Sequence, residues 1–142
     1  FISVKKQFDH YPTSKEIYKM IDLLTQYAEG NEARPTYPPI LNIILNEDNK
    51  ALYDAHVAIA TDRPLKGNKE INYKWMLKGG NILVTEVKGG NPVIDQSLQE
   101  MTQYINDREM TIMAIPFQML ITDRLKEPDS SQWVTRLYYP VM

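Results

Sequence analysis

Covalent chemistry has little to work with in this chain. It carries no cysteine, which excludes thiolate nucleophiles, thiolate metal sites and disulfides. Ser14, Ser97, Ser130 and Ser131 stand in no nucleophile-elbow context. A Ser–His arrangement is recognised by geometry rather than by spacing, and His10 and His56 are the only imidazoles. Glu86 could act as a general base if desolvated, but it reads first as an exposed strand acid. The pairs Gly79-Gly80 and Gly89-Gly90 lack the spacing of a phosphate loop and read as turns. No catalytic residue, metal or cofactor is expected. Binding chemistry is better supplied. Nine Tyr and two Trp stand against three Phe, so the aromatics come mostly with a polar handle, suited to surfaces both apolar and wet. A genome that favours tyrosine codons would account for the same bias. Along the last strand, alternation puts Val134, Arg136 and Tyr138 on one face, and Trp133, Leu137, Tyr139 and Val141 on the other.

The elements that must position these residues are written twice. Ile17, Ile21, Leu24 and Ala28 mark an apolar helical stripe, and Ile94, Leu98, Met101 and Ile105 repeat its spacing 77 residues later. After each stripe come a proline (Pro39, Pro116), an apolar run (40–45, 117–121), a polar turn and a closing strand (52–59, 133–141). A strand-like segment precedes each helix, Ile2–Val4 and Ile82–Val87. Two strand–helix–strand–strand units predict an α+β fold: one antiparallel sheet with both helices on one side and a pseudo-twofold relation. A period this long is a duplication rather than a solenoid repeat of roughly 20–50 residues. Thr13 and Glu16 form a capping box for the first helix, and Gly30 stands where a left-handed C-terminal residue is wanted. Asn91-Pro92 reads as N-cap and first helical residue of the second. Ile71, Tyr73, Trp75 and Leu77 alternate as a half-buried strand, with a hairpin turn at 78–81.

The totals bound the class. A chain of 142 residues fits a single domain, 1–142, with half-repeats at about 1–62 and 71–142. No apolar run approaches the ~20 residues of a membrane helix, and no signal-peptide pattern opens the chain, so a cytoplasmic location is expected. Net charge is −2 with acids and bases interspersed, which leaves no basic footprint for nucleic acid. The chain opens on Phe1 without an initiator Met, which leaves room for a further domain upstream.

From Lys78 onward the order of motifs is specific. Gly79-Gly80, Lys88-Gly89, a helix, Pro116-Phe117, Thr122-Asp123 and a closing strand from Thr135 to Val141 follow one another. In that order the chain resembles the GyrI-like family, also called the bacterial transcription activator effector-binding domain. The first half, 2–59, matches mainly in its sequence of elements. The resemblance implies a module that binds amphipathic small molecules, multidrug-binding in character, in a cleft between its halves. It usually follows the DNA-binding domain of a transcriptional regulator, so DNA would be met only through an upstream domain. Stand-alone members that sequester or hydrolyse a small toxic compound, or protect gyrase, are the alternative. A haem-binding relative exists, yet no attachment motif is present here.

Under this resemblance Tyr18, Trp75, Tyr104, Phe117 and Tyr138 are the expected walls, with Arg136 or Glu86 as the polar determinant. The family commonly has Thr-Glu in its closing motif, the glutamate pairing with cationic ligands; this chain has Thr135-Arg136. An unpaired guanidinium there would turn the preference towards anions, since an uncompensated buried charge costs several kcal/mol. A neighbouring acid, Glu86 or Asp54, would instead neutralise it. The aromatic closing strand, placed at a sheet edge, would also invite a homodimer.

Overall fold

The computed structural model describes residues 1–74 and 81–142. The chain divides into two compact units, Phe1–Met76 and Leu77–Met142. In the first, β1 (Ile2–Phe8) leads to α1 (Ser14–Gly30), β2 (Ile40–Leu45), β3 (Tyr53–Ile59) and a two-residue β4 (Asn72–Tyr73). The strands are antiparallel in the order β4-β1-β3-β2. In the second, β5 (Asn81–Lys88) leads to α2 (Asn91–Asp107), β6 (Phe117–Leu120) and β7 (Val134–Val141), with β7 between β6 and β5. The α+β class and the duplicated strand–helix–strand–strand order are those the sequence predicts. No helix among the described residues is long and apolar enough to cross a membrane.

Each helix forms because its stripe has something to cover. Ile17, Ile21, Leu24 and Ala28 are all buried, and α1 packs on β1 and β3. Ile94, Met101 and Ile105 form one cluster with Leu137, Tyr139 and Val141 of β7, flanked by Leu83, Val87, Leu98 and Met110. The alternation on β7 therefore has a physical cause: Thr135, Leu137, Tyr139 and Val141 are buried, while Val134, Arg136, Tyr138 and Pro140 are only half-buried. Fully burying a side chain of this size is worth about 1.5–3 kcal/mol, which fixes the strand's register.

Helix ends show where local signals were read one or two residues off. The Thr13 box is present: the Glu16 amide donates to Thr13 Oγ1 at 3.3 Å, and the Thr13 amide donates to Glu16 Oε1 at 3.1 Å. Gly30 is the last helical residue, however, and the left-handed residue is Glu32, with φ 60°. The second unit repeats this with Glu109 at φ 54°. In both, the following amide reaches back five residues, Ala33 to the Ala28 carbonyl at 2.8 Å and Met110 to that of Ile105 at 3.0 Å. That 6→1 bond of the Schellman motif satisfies an otherwise orphan carbonyl and holds a non-glycine residue in αL. At the start of α2 the cap is Gly90 rather than Asn91, and no side chain caps the helix. Gly89, at φ 144°, makes the turn into it; a Cβ there would lie 2.8 Å from Val93 Cγ2.

Two further expectations are corrected. The segment expected to open the second half contributes β4 to the first unit instead, pairing Tyr73 with Ile2 and Asn72 with Ser3. The Phe1 amino group donates to the Lys74 carbonyl at 3.0 Å, and the Lys74 amide donates back to the Phe1 carbonyl at 2.9 Å, which ties that segment to β1. Trp133 precedes β7, after a 3₁₀ turn at Ser130–Gln132, and its indole Nε1 donates to the Glu127 carbonyl at 2.8 Å. Ile71, just before β4, is buried; the expected strand's residues 75–77, Trp75 included, and residues 78–80 of the expected hairpin lie outside the described residues, while Asn81 opens β5.

The two histidines titrate in opposite directions. Hydrogen bonds to Glu16 (2.7 Å) and Asp9 (2.6 Å) raise His10 above its ordinary 6.5. Burial, and then the charge of Lys5, lower His56 below it. The stabilising effect of His10 is therefore complete below its unfolded value and fades as pH rises through its raised folded value. That of His56 is complete above 6.5 and is lost as pH falls through its depressed folded value. Imidazole NMR titration should give a His10 midpoint above, and a His56 midpoint below, that of a model peptide. Coincident midpoints would contradict both environments.

Candidate functional site on the open sheet face of the second unit

The face of the second unit's strands turned away from α2 collects one residue from each strand at each level. Tyr138 on β7 is flanked by Val84 on β5 and Phe117 on β6; Arg136 is flanked by Glu86 and Met119. The Phe117 and Tyr138 rings stack at 5.1 Å with an 11° interplanar angle. The Tyr138 hydroxyl donates to the Met119 sulfur at 3.8 Å. Ile82 and Val84 extend the apolar surface, and Val84 is 51% exposed. The result is an aromatic platform bordered by aliphatic groups.

At its polar end, Arg136 Nε and Nη2 donate to Glu86 Oε2 at 3.3 and 3.2 Å. The Tyr138 side chain, ahead of the Glu86 carboxylate, holds the guanidinium pKa above its ordinary value. Of the two acids expected to neutralise Arg136, Glu86 is the partner. Asp54 is buried in the first unit and accepts from Gln7 Nε2 (3.3 Å) and Asn46 Nδ2 (3.0 Å). The Glu86–Arg136 pair is about half exposed, at 56% and 39%, so solvent screens it and its own contribution to stability is small. It offers either charge to a ligand at little structural cost.

The duplication supplies an internal control. Matched on the bridges Pro35–Thr61 and Ile112–Val141, Lys5 faces His56 at the place where Glu86 faces Arg136. Where the second unit sets Phe117 across from Tyr138, the first sets Ile40 across from Ala58. The fold alone therefore does not require aromatic rings there.

Four of the seven expected site residues, Glu86, Phe117, Arg136 and Tyr138, are thus assembled. Tyr104 belongs elsewhere in the same unit. It lies on α2 under the Arg108 guanidinium, 3.6 Å from the ring centroid, and lines a groove of about 320 Å³ with Leu83, Ser97, Glu100 and Met101. Tyr18 is buried on α1 in the first unit, and Trp75 is outside the described residues. Sequence reasoning passed over Val84 and Ile82 as members of this face, although alternation along 82–88 carries the signal. It also missed Arg124, which is buried, donates to Thr135 Oγ1 at 2.9 Å and sits 4.7 Å over the Trp133 ring. The closing strand is flanked on both sides, by β5 and β6, so the aromatic-edge argument for a homodimer finds no edge.

No family model and no curated protein matches the chain. Solved structures do. The chain is similar to EcmrR in the cryo-EM structure of its DNA complex within EcmrR-RPo, with a TM-score of 0.73 at 18% identity over 99% of this chain. It spans about half of that protein, 53% of its length. The crystal structure of the EcmrR C-terminal domain gives 0.69 at 18% identity, covering 99% of this chain and 90% of that one. A hydrolase encoded by lin2189 from Listeria innocua gives 0.63 at 10% identity, covering 99% and 86%. At these identities the likeness is one of fold, and the fold is that of the EcmrR C-terminal domain.

Proposed function

We propose that this chain is a GyrI-like effector-binding domain, serving a bacterial transcriptional regulator in the cytoplasm, and that it takes an amphipathic small molecule on the open face of its second unit. The observation that carries this reading is the agreement of the whole chain in fold with the EcmrR C-terminal domain. The stacked Phe117–Tyr138 pair and the adjoining ion pair supply the chemistry. A planar apolar group lies against the rings, and its charged end competes for one member of the Glu86–Arg136 pair. Aromatic lining with few fixed polar groups is the usual composition of such sites. Contact with DNA, which EcmrR makes in one of these structures, would fall to a further domain, and a homodimer would serve a regulator of that kind.

Phe117→Ala tests the platform. It removes one ring of the stack from a half-buried position, and aromatic contacts of this kind contribute about 0.5–1.5 kcal/mol beyond area burial. Fluorescence titration with planar dyes should show affinity lowered by about tenfold, with unchanged circular dichroism. Unchanged affinity would remove the rings from the site. The hydrolase among the similar structures favours a second reading, a stand-alone protein that sequesters or hydrolyses a toxic compound. Release of nitrophenol from an aromatic ester above the buffer rate would favour that reading over binding alone.

A further inference from the structure

Duplication gives each unit a groove between its first strand and its helix, and the two have diverged in charge. In the second unit the groove holds about 320 Å³, and Glu100 is the one charged residue lining it among the described residues. In the first it holds about 690 Å³, and four lysines line it: Lys5 and Lys6 of β1, Lys19 of α1, and Lys69. Glu86, Val87 and Gln96 occupy the places matching Lys5, Lys6 and Lys19 in the second unit. The chain as a whole is acidic, with net charge −2, so this concentration of cations is local. Two carboxylates share the lining. Glu16 is already held by His10 and by the Thr13 amide, and Glu70 is the other. Among the described residues none of the four ammonium groups has a carboxylate within ion-pairing distance; Lys6 lies 5.3 Å from the Phe8 ring centroid. Val4, Met20 and Leu23 complete the lining with apolar surface. Leu23 is an exposed large apolar side chain, which marks this surface as uncovered.

We propose that this groove is a binding site for an anionic amphiphile, its carboxylate or phosphate head among the lysines and its alkyl chain against Val4, Met20 and Leu23. Like charges held together without counter-charges raise one another's energy, and an anion relieves that repulsion. Lysine suits such a head as a mobile point charge, and its methylene stem adds to the apolar wall. A volume of this size falls within the usual range for small-molecule sites. The inference rests on different residues from the aromatic platform, so either can fail without the other.

The test follows octanoate, octyl phosphate, octanol, octyltrimethylammonium and inorganic phosphate by calorimetry and by amide shifts of the labelled protein. Both anionic chains should shift the amides of Lys6, Met20 and Leu23. They should bind about tenfold more tightly than the neutral and cationic chains and weaken as salt is raised. The double substitution Lys19→Glu, Lys69→Glu should lower their affinity by about tenfold or more, and Lys19→Gln, Lys69→Gln by less. The glutamine pair keeps the test decisive if the glutamate pair misfolds. Octanol binding as well as octanoate, inorganic phosphate as well as octyl phosphate, shifts confined to other elements, or either folded variant binding unchanged would each overturn the proposal.

Discussion

Replacing Leu137 by alanine is expected to destabilise the protein by about 3 kcal/mol, from the 2–5 kcal/mol range for buried Leu→Ala. Leu137 has no exposed surface and sits among Ile94, Met101, Ile105, Tyr139 and Val141. Its neighbours come from a helix and from its own strand, and the backbone pairing of β7 on both sides leaves little room for the site to collapse. The cavity term therefore adds to the transfer term rather than being relaxed away. The effect reaches function because Arg136 and Tyr138, on either side of Leu137, carry the platform. Urea denaturation should show a lower midpoint at unchanged slope. Leu125→Ala, at an exposed position, should stay within about 0.5 kcal/mol. Equal effects at the two positions would contradict the assignment of this core.

Much of this architecture was legible because it repeats. The two stripes are stated at the helical period, so both helices and their buried faces follow from spacing alone, and α1 and α2 begin 77 residues apart as the stripes do. Alternation likewise fixed which face of β7 carries Arg136 and Tyr138. What spacing does not carry is which residue stands across from which. The choice of Glu86 rather than Asp54 as the partner of Arg136 depends on strand pairing, and Asp54 is satisfied inside its own unit by Gln7 and Asn46. The helix ends were misread for a related reason. A glycine is the cheap left-handed residue, but at Glu32 and Glu109 the backbone bonds of the Schellman turn outweigh the strain of a side chain in αL. Tyr18 was expected as a wall, yet it is buried with the stripe's own residues. A tyrosine at a stripe margin serves core or surface equally well until the helix is docked. The lysines around the first unit's groove come from β1, α1 and the segment before β4, too scattered along the chain to form a charge run.

The central claim is that the open face of the second unit is where an amphipathic ligand binds, and Arg136→Glu tests it most directly. In the unaltered protein the ion pair presents one charge of each sign beside the Phe117–Tyr138 stack. The substitution replaces this by two carboxylates opposite one another on β5 and β7, about half exposed and so at modest cost to folding. A planar cation and a planar anion should then respond in opposite directions, because charge complementarity and not apolar area is what has changed. The measurement is a pair of fluorescence titrations, with ethidium as the cation and anilinonaphthalene sulfonate as the anion, on both proteins at low salt. The account predicts tighter binding of the cation and weaker binding of the anion in the variant, each by roughly 1–3 kcal/mol. Unchanged affinity for both dyes, with an unaltered circular dichroism spectrum, would contradict it.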